Sequence, residues 1–378
     1  MNSQGLGEVN LLSKKPKWGR RIVKALLYGV YLLLVFEIAS RLLLSVDPIF
    51  RRIRGADDST FRIDWIKRHG RRKDFTQKFE VYNPTRGWAL KPGVKDMLVF
   101  DGKILNSNSR GLRGKTEYEY VRQRGKRRIL VLGDSFTFGD EVSDDETYPH
   151  YLESLLPDTE VLNFGVSGYG HDQMLLYLRE EGVKYRPDVV LLGFISIDVA
   201  RNIFKFFGYS KPKFKFYDHQ LHLTNVPVPP PEAILKQELY RSKALDISII
   251  LREKIRWRLG LADESMHELT EAIFDEIVAT TRQIGAVPVF VYLPIGYEIL
   301  NPQDAMTSGE AYLFGYCQER GIACLFLQRR FQEEIRHGAK FKTQGHWDPQ
   351  GHMTAAQGIR DYLLEKRLIK TDRGKSGP

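Results

Sequence analysis

The stretch RRILVLGDSFTFGDEV, residues 127–142, decides the fold, because an apolar run ends there in a glycine and a polar turn. Ile129 to Leu132 are four consecutive apolar residues, which is typical of a strand buried on both faces of a parallel sheet. Gly133-Asp134-Ser135 follows directly and is typical of a turn from a strand into a helix. Such a turn displays Ser135 at the carboxyl end of the sheet, where α/β folds bind ligands. The stretch therefore predicts either a helix N-cap or a nucleophile at Ser135.

Further apolar runs follow, each of strand length, and amphipathic patterns separate them. This alternation predicts an α/β fold in which a mainly parallel five-stranded sheet carries helices on both faces. We assign it to one domain over residues 126–370. An insertion at 204–261 interrupts the alternation, and its aromatic and proline residues predict a small hairpin or a lid. The five predicted strands are RILVLG (128–133), EVLNFG (160–165), DVVLLGF (188–194), VPVFVYL (287–293) and IACLFLQ (322–328).

The N-terminal run IVKALLYGVYLLLVFEIASRLLLSV, residues 22–46, is long and apolar enough to cross a bilayer as a helix. Glu37 and Arg41 are four residues apart and can pair along that helix. Residues 1–21 form a basic tail, and this excess of positive charge favours a cytoplasmic N-terminus. The sequence therefore predicts a single-pass anchor in the plasma (inner) membrane with the bulk of the chain periplasmic or extracellular. A helix lying on the membrane surface, or packed in the fold, is the alternative.

The net charge and the cysteines indicate which kinds of partner and cofactor to expect. The formal net charge of +10 favours an anionic partner, but the chain has no basic helix with interleaved aromatics and no zinc spacing, so we expect no nucleic acid. Cys317 and Cys324 form neither a disulfide framework nor a metal pattern, and we interpret them as buried apolar residues. We predict no cofactor and no metal. Residues 47–125 are interpreted as a connecting region packed on the following domain, and residues 371–378 as a tail.

A serine nucleophile needs a base, a group that orients the base, and donors for the oxyanion. The best candidate for the base is His346 in KTQGHWDPQGH (342–352), with His352 beside it. An α/β fold readily brings the loop after its last strand next to the loop after its first. A surface histidine in a glycine-rich loop is the alternative for His346, and a packing or capping residue is the interpretation of His352.

The order of four blocks makes the pattern specific. GDSFTFG (133–139), NFGVSGYG (163–170), GFISIDVARN (193–202) and a Gly-His pair at 345–346 resemble the conserved blocks of the SGNH/GDSL hydrolase superfamily. The N-terminal span and NSRGLRG (108–114) look like its membrane-anchored bacterial members. The resemblance implies a flavodoxin-like three-layer α/β/α sandwich. It also implies acyl transfer on an ester, as in members associated with acylation or deacylation of cell-surface polysaccharides.

Carried over by position, the resemblance implies Ser135 as nucleophile and first oxyanion donor. It implies Gly168 as second donor, His346 as general base, and Asp134 as a residue that shapes the turn. Two positions depart from the family pattern.

The first departure is Ile197, which precedes Asp198 where the family has an asparagine donor, so Asn202 or Arg201 is the substitute donor that we consider. The second is Gln344, with Thr343 beside it, where the family has the orienting aspartate. Gln344 is the predicted orienting group, and Asp348 is an alternative at the wrong spacing.

The sequence therefore predicts a membrane-anchored serine esterase or O-acyltransferase. Its substrate would be an ester, with O-acetyl as the best candidate, on a cell-surface carbohydrate, and its partners would belong to polysaccharide biosynthesis. A catalytically impaired binding or scaffold protein for a polysaccharide assembly system, as the Ile197 and Gln344 departures favour, is the alternative.

Overall fold

The structure is a computed structural model and describes residues 18–69, 78–261, 263–300 and 306–369. The first 17 residues of the predicted basic tail and the whole predicted tail 371–378 lie outside the described residues. The N-terminal third contains helices and short hairpin strands. They are α1 (Trp18–Ser45), α2 (Asp47–Ile53), α3 (Asp58–His69), β1 (Glu80–Asn83), β2 (Gly87–Leu90), β3 (Met97–Val99) and β4 (Lys103–Leu105).

Helix α1 is a candidate membrane span by its length and composition. It has 28 residues, its most apolar window has a mean hydropathy of 2.0, and none of that window is buried against the protein. Every residue from Trp18 to Phe36 is exposed, whereas Ser40 and Leu44 near the C-terminal end are buried. Glu37 and Arg41 form the predicted i,i+4 ion pair at 2.8 Å. Over about 28 Å of its length the helix is therefore not packed against the rest of the described chain, and this length is close to the thickness of a bilayer core.

The first part of the large domain alternates strands and helices. It contains β5 (Arg127–Gly133), α4 (Ser135–Phe138), α5 (Tyr148–Leu155), β6 (Thr159–Gly165), α6 (His171–Glu180), β7 (Val189–Phe194) and α7 (Asp198–Arg201).

The predicted insertion follows α7. It contains β8 (Phe206–Phe207), β9 (Tyr209–Ser210), β10 (Lys213–Tyr217), β11 (Gln220–Thr224), α8 (Pro231–Tyr240) and α9 (Lys243–Arg258). Strands β10 and β11 pair antiparallel as a hairpin, and α9 packs against α1 and α3. The insertion therefore joins the large domain to the end of the candidate anchor.

The alternation resumes after the insertion. The last elements are α10 (Asp263–Gln283), β12 (Val287–Tyr292), α11 (Gly296–Ile299), α12 (Ser308–Arg320), β13 (Ala323–Phe326), α13 (Gln328–Arg336) and α14 (Pro349–Glu365).

Five strands form one parallel sheet in the order β13-β12-β7-β5-β6, which confirms the predicted sheet. Counted along the chain this is the order 2-1-3-4-5 of flavodoxin-like folds, read from the β6 edge. Strand β6 is added on one side of β5, and β7, β12 and β13 are added on the other, so the topological switch point lies at the carboxyl ends of β5 and β7. Ser135 follows β5, and Ile197 comes shortly after the end of β7, so both belong to the edge at which such folds bind ligands.

Both faces of the sheet are covered, because the strand side chains alternate between two separate cores. Leu130 and Leu132 of β5 pack on the side of α6, α10 and α12, whereas Ile129 and Val131 pack on the side of α5, α13 and α14. These four side chains have no exposed surface. The molecule is the predicted three-layer α/β/α sandwich.

The cysteines differ from the prediction. Cys317, in the last turn of α12, and Cys324, in β13, form a disulfide with 6.3 Å between their Cα atoms. The helix packs over the strand that follows it, and this brings the two residues together although the spacing alone gave no sign of it. Our interpretation of them as unpaired apolar residues is corrected accordingly.

Candidate active site

Ser135 is the first residue of the short helix α4, which begins after Asp134 and ends before Gly139. Asp134 is the N-cap of α4, and its Oδ1 accepts a hydrogen bond from the Phe136 N–H at 3.0 Å. Gly139 ends the helix with a left-handed φ of +93°, which an L side chain rarely adopts. The Ser135 side chain is only 6% exposed, so its hydroxyl is held in a defined place at the end of β5.

His346 is the partner of this hydroxyl. Its Nε2 lies 2.8 Å from Ser135 Oγ, although the two residues are 211 positions apart in the chain. The Phe136 ring packs against the imidazole, with 4.9 Å between their centroids. His352, by contrast, is fully buried and accepts a hydrogen bond from the Tyr148 N–H, as expected of a packing residue.

Glu141 contacts the other nitrogen of the imidazole. Its Oε1 lies 3.2 Å from His346 Nδ1, and because a carboxylate only accepts, Nδ1 carries the proton. Nε2 is then free to accept the proton of Ser135. Burial opposes ionisation of Glu141, but hydrogen bonds from Lys342 and His346 prevail and lower the pKa of its carboxyl. Ser135, His346 and Glu141 therefore form a hydroxyl–imidazole–carboxylate chain.

Our prediction of Gln344 as the orienting group is wrong. Gln344 is exposed, and Glu141 occupies the place beside Nδ1. Gly345 makes room for this arrangement: its φ is +76°, and a Cβ added there would lie 2.8 Å from Glu141 Oε1. Asp348 is engaged elsewhere as the N-cap of α14, where its Oδ1 accepts from the Gly351 N–H.

The two predicted oxyanion donors, the backbone amides of Ser135 and Gly168, have no hydrogen-bond acceptor among the described residues. Gly168 has a φ of +78°, so the turn after β6 favours glycine at this position. The indole N–H of Trp88 in β2 donates to the Ser167 carbonyl at 3.0 Å and fixes the turn from the side of the connecting region.

Asn202 does not lie at the predicted place. It is fully buried, and its amide nitrogen donates to Thr270 Oγ1 at 2.8 Å and lies 3.2 Å from His171 Nδ1. Its Oδ1 accepts from the Asp172 N–H at 3.4 Å. Helix α7 directs this side chain into the contact between α6 and α10, so the prediction of an oxyanion donor at Asn202 is wrong. Ile197 is 48% exposed at the position where the resemblance expects an asparagine.

Arg201, Asp134 and Asp198 form a buried cluster beneath the serine. Arg201 Nη1 donates to Asp134 Oδ2 at 3.0 Å and pairs with Asp198 Oδ1 at 2.5 Å. Burial raises the pKa of the Asp198 carboxyl well above its ordinary value, and Arg201 opposes this shift. Asp134 Oδ2 also lies 3.2 Å from Ser135 Oγ. Asp134 and Asp198 thus support the site through Arg201, and Arg201 is not an exposed oxyanion donor.

Arg113, from the NSRGLRG block of the connecting region, holds the loop that carries Glu141. Its guanidinium donates to the carbonyls of Phe138 at 2.8 Å and Val142 at 2.6 Å, on either side of Glu141. Its Nε donates to Asp144 Oδ1 at 3.0 Å. This block of the connecting region therefore holds the loop that carries Glu141.

Asp140 is a second carboxyl in the same loop. Its Oδ2 accepts a hydrogen bond from Ser167 Oγ at 2.8 Å and lies 4.0 Å from His346 Nε2. Burial raises the pKa of this carboxyl to about 6, against the opposing effects of His346, Ser167 and Arg113. The charge of Asp140 is therefore set to change in the weakly acidic range, next to the base.

The native state of wild type is expected to lose stability as pH rises because of Asp140, and the Asp140→Asn variant should not show this loss. The raised pKa means that the native state binds this proton more tightly than the unfolded chain does, so the native state loses stability as pH rises from about 4 through about 6. Relative to wild type, the variant should gain about 3 kcal/mol across this range. Thermal unfolding of both proteins between about pH 4 and pH 8 measures it. Parallel curves would contradict the assignment.

No protein-family model and no curated protein sequence matches the chain. Solved structures do. A lipolytic protein of the G-D-S-L family from Desulfitobacterium hafniense DCB-2 aligns with a TM-score of 0.38 and 13% identity, over 63% of this chain and 100% of its own. One from Veillonella parvula DSM 2008 aligns with a TM-score of 0.38 and 12% identity, over 62% and 97%. An acetylxylan esterase from Geobacillus stearothermophilus aligns with a TM-score of 0.38 and 16% identity, over 64% and 96%. The chain is similar, over about two thirds of its length, to G-D-S-L lipolytic proteins and an esterase of known structure.

Proposed function

We propose that the protein is a membrane-anchored serine esterase or O-acyltransferase of the SGNH type. The observation that carries this proposal is the chain of contacts from Ser135 Oγ to His346 Nε2, at 2.8 Å, and from His346 Nδ1 to Glu141, at 3.2 Å. A hydroxyl, an imidazole and a carboxylate in this order activate serine for attack on a carbonyl.

In the first half of the reaction, Ser135 Oγ attacks the carbonyl carbon of an ester while His346 Nε2 takes the hydroxyl proton. Glu141 stabilises the resulting imidazolium through Nδ1–H. The N–H groups of Ser135 and Gly168 donate to the oxyanion of the tetrahedral intermediate. The intermediate collapses when His346 returns the proton to the departing alcohol, which leaves an acyl group on Ser135.

In the second half, an acceptor hydroxyl attacks the acyl-serine and His346 takes its proton. Water as acceptor gives a carboxylic acid, and a sugar hydroxyl gives a new ester. In both cases His346 returns the proton to Ser135 Oγ. Hydrolysis and transfer therefore use the same residues, and they differ only in the acceptor that reaches the site.

The proposed location is the plasma membrane, with the large domain outside the cytoplasm. Helix α1 supports an anchor by its length and apolar surface, and the basic residues that precede it favour a cytoplasmic N-terminus. The Cys317–Cys324 disulfide supports an oxidising compartment for the domain. The proposed substrate, an O-acetyl ester of a cell-surface carbohydrate, and the proposed partners in polysaccharide biosynthesis rest on the resemblance of the sequence blocks.

The alternative is an SGNH-fold scaffold with impaired catalysis. The specific observation in its favour is Ile197, because an isoleucine side chain cannot donate a hydrogen bond at the place of the third oxyanion donor. Loss of one such donor typically lowers kcat by about 10²–10³. An enzyme with two donors is therefore expected to be slow but not inactive.

Covalent labelling with a fluorophosphonate probe tests the proposal. The folded full-length chain in detergent should be labelled at Ser135, as identified by mass spectrometry of the modified peptide. Ser135→Ala and His346→Ala should abolish labelling, because they remove the nucleophile and its base. Ser196→Ala is the matched control and should keep it, since that hydroxyl contacts Glu298 at the end of β7. Absence of labelling in the folded wild type would favour the scaffold.

A further inference from the structure

The insertion of the large domain contacts α1 through a charged residue of the anchor. Glu37 is an acidic residue in an otherwise apolar stretch, and its carboxylate accepts hydrogen bonds from the first residues of α9. These bonds come from Ser242 Oγ at 2.7 Å, Lys243 N–H at 3.0 Å and Ala244 N–H at 3.0 Å. Arg41 pairs with the same carboxylate at 2.8 Å. The carboxylate therefore caps α9 and ties it to α1.

This contact lies at a defined depth along α1. Phe36, directly before Glu37, is the last residue of the continuously exposed apolar segment. Counted from Ile22, which follows the two arginines at 20–21, a bilayer core of about 30 Å ends near Arg41. On the side of α1 away from α9, Ile38 and Leu42 remain 59% and 64% exposed. The start of α9 is thus held where the anchor leaves the hydrocarbon.

Three large apolar side chains near this contact are exposed. Leu239 and Tyr240, at the end of α8, are 71% and 84% exposed, and Leu245, in the first turn of α9, is 55% exposed. Exposed apolar side chains beside one another mark a contact surface, and tyrosine is enriched at the level of lipid headgroups. We name residues 239–245 the α8–α9 turn.

We propose that the α8–α9 turn is a second membrane contact, in which Leu239, Tyr240 and Leu245 enter the outer interface of the bilayer beside α1. The occupant of this surface is lipid, because the turn is continuous with the lipid-facing side of the anchor and Glu37 fixes it at the height of the interface. The inference rests on the anchor in the proposed function and is independent of the catalytic assignment. Its consequence is that the large domain has one fixed orientation towards the membrane.

Spin labelling of the full chain in phosphatidylcholine–phosphatidylglycerol vesicles tests this. Tyr240→Cys carries the label, Val30→Cys reports the middle of the anchor, and Val121→Cys, at a residue 85% exposed, reports the aqueous domain. The native cysteines are paired and do not take up the label. Relative accessibility to oxygen and to a nickel complex gives the depth of each site.

At residue 240 the label should lie about 5–10 Å into the boundary between headgroups and acyl chains. A Val30 label deep in the bilayer with an aqueous Tyr240 label would overturn the second contact and leave the anchor standing. An aqueous Val30 label would overturn the anchor and, with it, this inference. Glu37→Ala in the Tyr240→Cys background should move the label towards water, and an unchanged depth would show that Glu37 does not hold the turn.

Discussion

Replacement of Glu141 by glutamine is expected to lower the rate at which Ser135 is acylated by about 10⁴. The variant keeps the size of the side chain but loses the charge that stabilises the imidazolium. The amide N–H group of glutamine can also face Nδ1, which fixes the imidazole with its proton on Nε2, where it cannot take the proton of Ser135. The rate of fluorophosphonate acylation measures the effect without knowledge of the natural substrate.

Two matched variants accompany this measurement. Gln344→Ala should leave the acylation rate unchanged, because Gln344 is exposed and Glu141 makes the contact to Nδ1. Lys342→Met removes the cation that pairs with the Glu141 carboxylate but keeps the carboxylate itself, so a small decrease is expected. If Gln344→Ala lost activity while Glu141→Gln kept it, the orienting role would return to Gln344.

Lys211→Met is expected to lower the free energy of unfolding by about 3–5 kcal/mol. Lys211 and Asp172 are both fully buried, and they form an ion pair between the insertion and the start of α6. The ammonium group also donates to the carbonyls of Arg201 at 3.2 Å and Phe204 at 3.3 Å. Methionine fills the volume but leaves the Asp172 carboxylate without its cation. Urea unfolding of the full chain in detergent measures the loss.

The double variant Lys211→Met/Asp172→Asn separates the loss of the pair from the loss of packing. Because it removes both charges, and because an asparagine oxygen can still accept from the Gln173 N–H, it should recover most of the stability. A double variant as unstable as Lys211→Met alone would show that the buried charge is not the cause.

The fold could be predicted from the sequence because the strands of a doubly covered parallel sheet contain continuous apolar runs. The run at 129–132 is an example, since its side chains enter two different cores in alternation and all must be apolar. The pairing of Cys317 with Cys324 could not be predicted in the same way. It depends on how α12 lies over β13, and a spacing of seven residues carries no information about that packing.

Within the site, the contact of Ser135 with His346 follows from topology, because parallel strands bring the loops at their carboxyl ends together. Glu141 was not predicted, because the family pattern places the orienting acid two or three residues before the histidine. The available signal was the pair of carboxyl residues at 140–141, directly after the glycine that ends α4. At Glu141 the backbone has a φ of +71°, and its carboxylate lies 3.2 Å from the imidazole. The prediction of Asn202 as an oxyanion donor was wrong for a similar reason, since the direction of α7 decides where the Asn202 side chain lies.

The contacts of Arg113 and Trp88 bear on where an active fragment of this protein begins. A fragment that starts at residue 126 contains the serine, the histidine and both carboxyl residues of the loop, and it is the whole of the large domain predicted from the sequence. It lacks the guanidinium that binds the carbonyls of the Glu141 loop and the indole that binds the Ser167 carbonyl. Truncation there removes these contacts, together with Trp88 and Leu112 of the core, while it spares Ser135, His346 and Glu141, so we expect an active fragment to begin before Trp88.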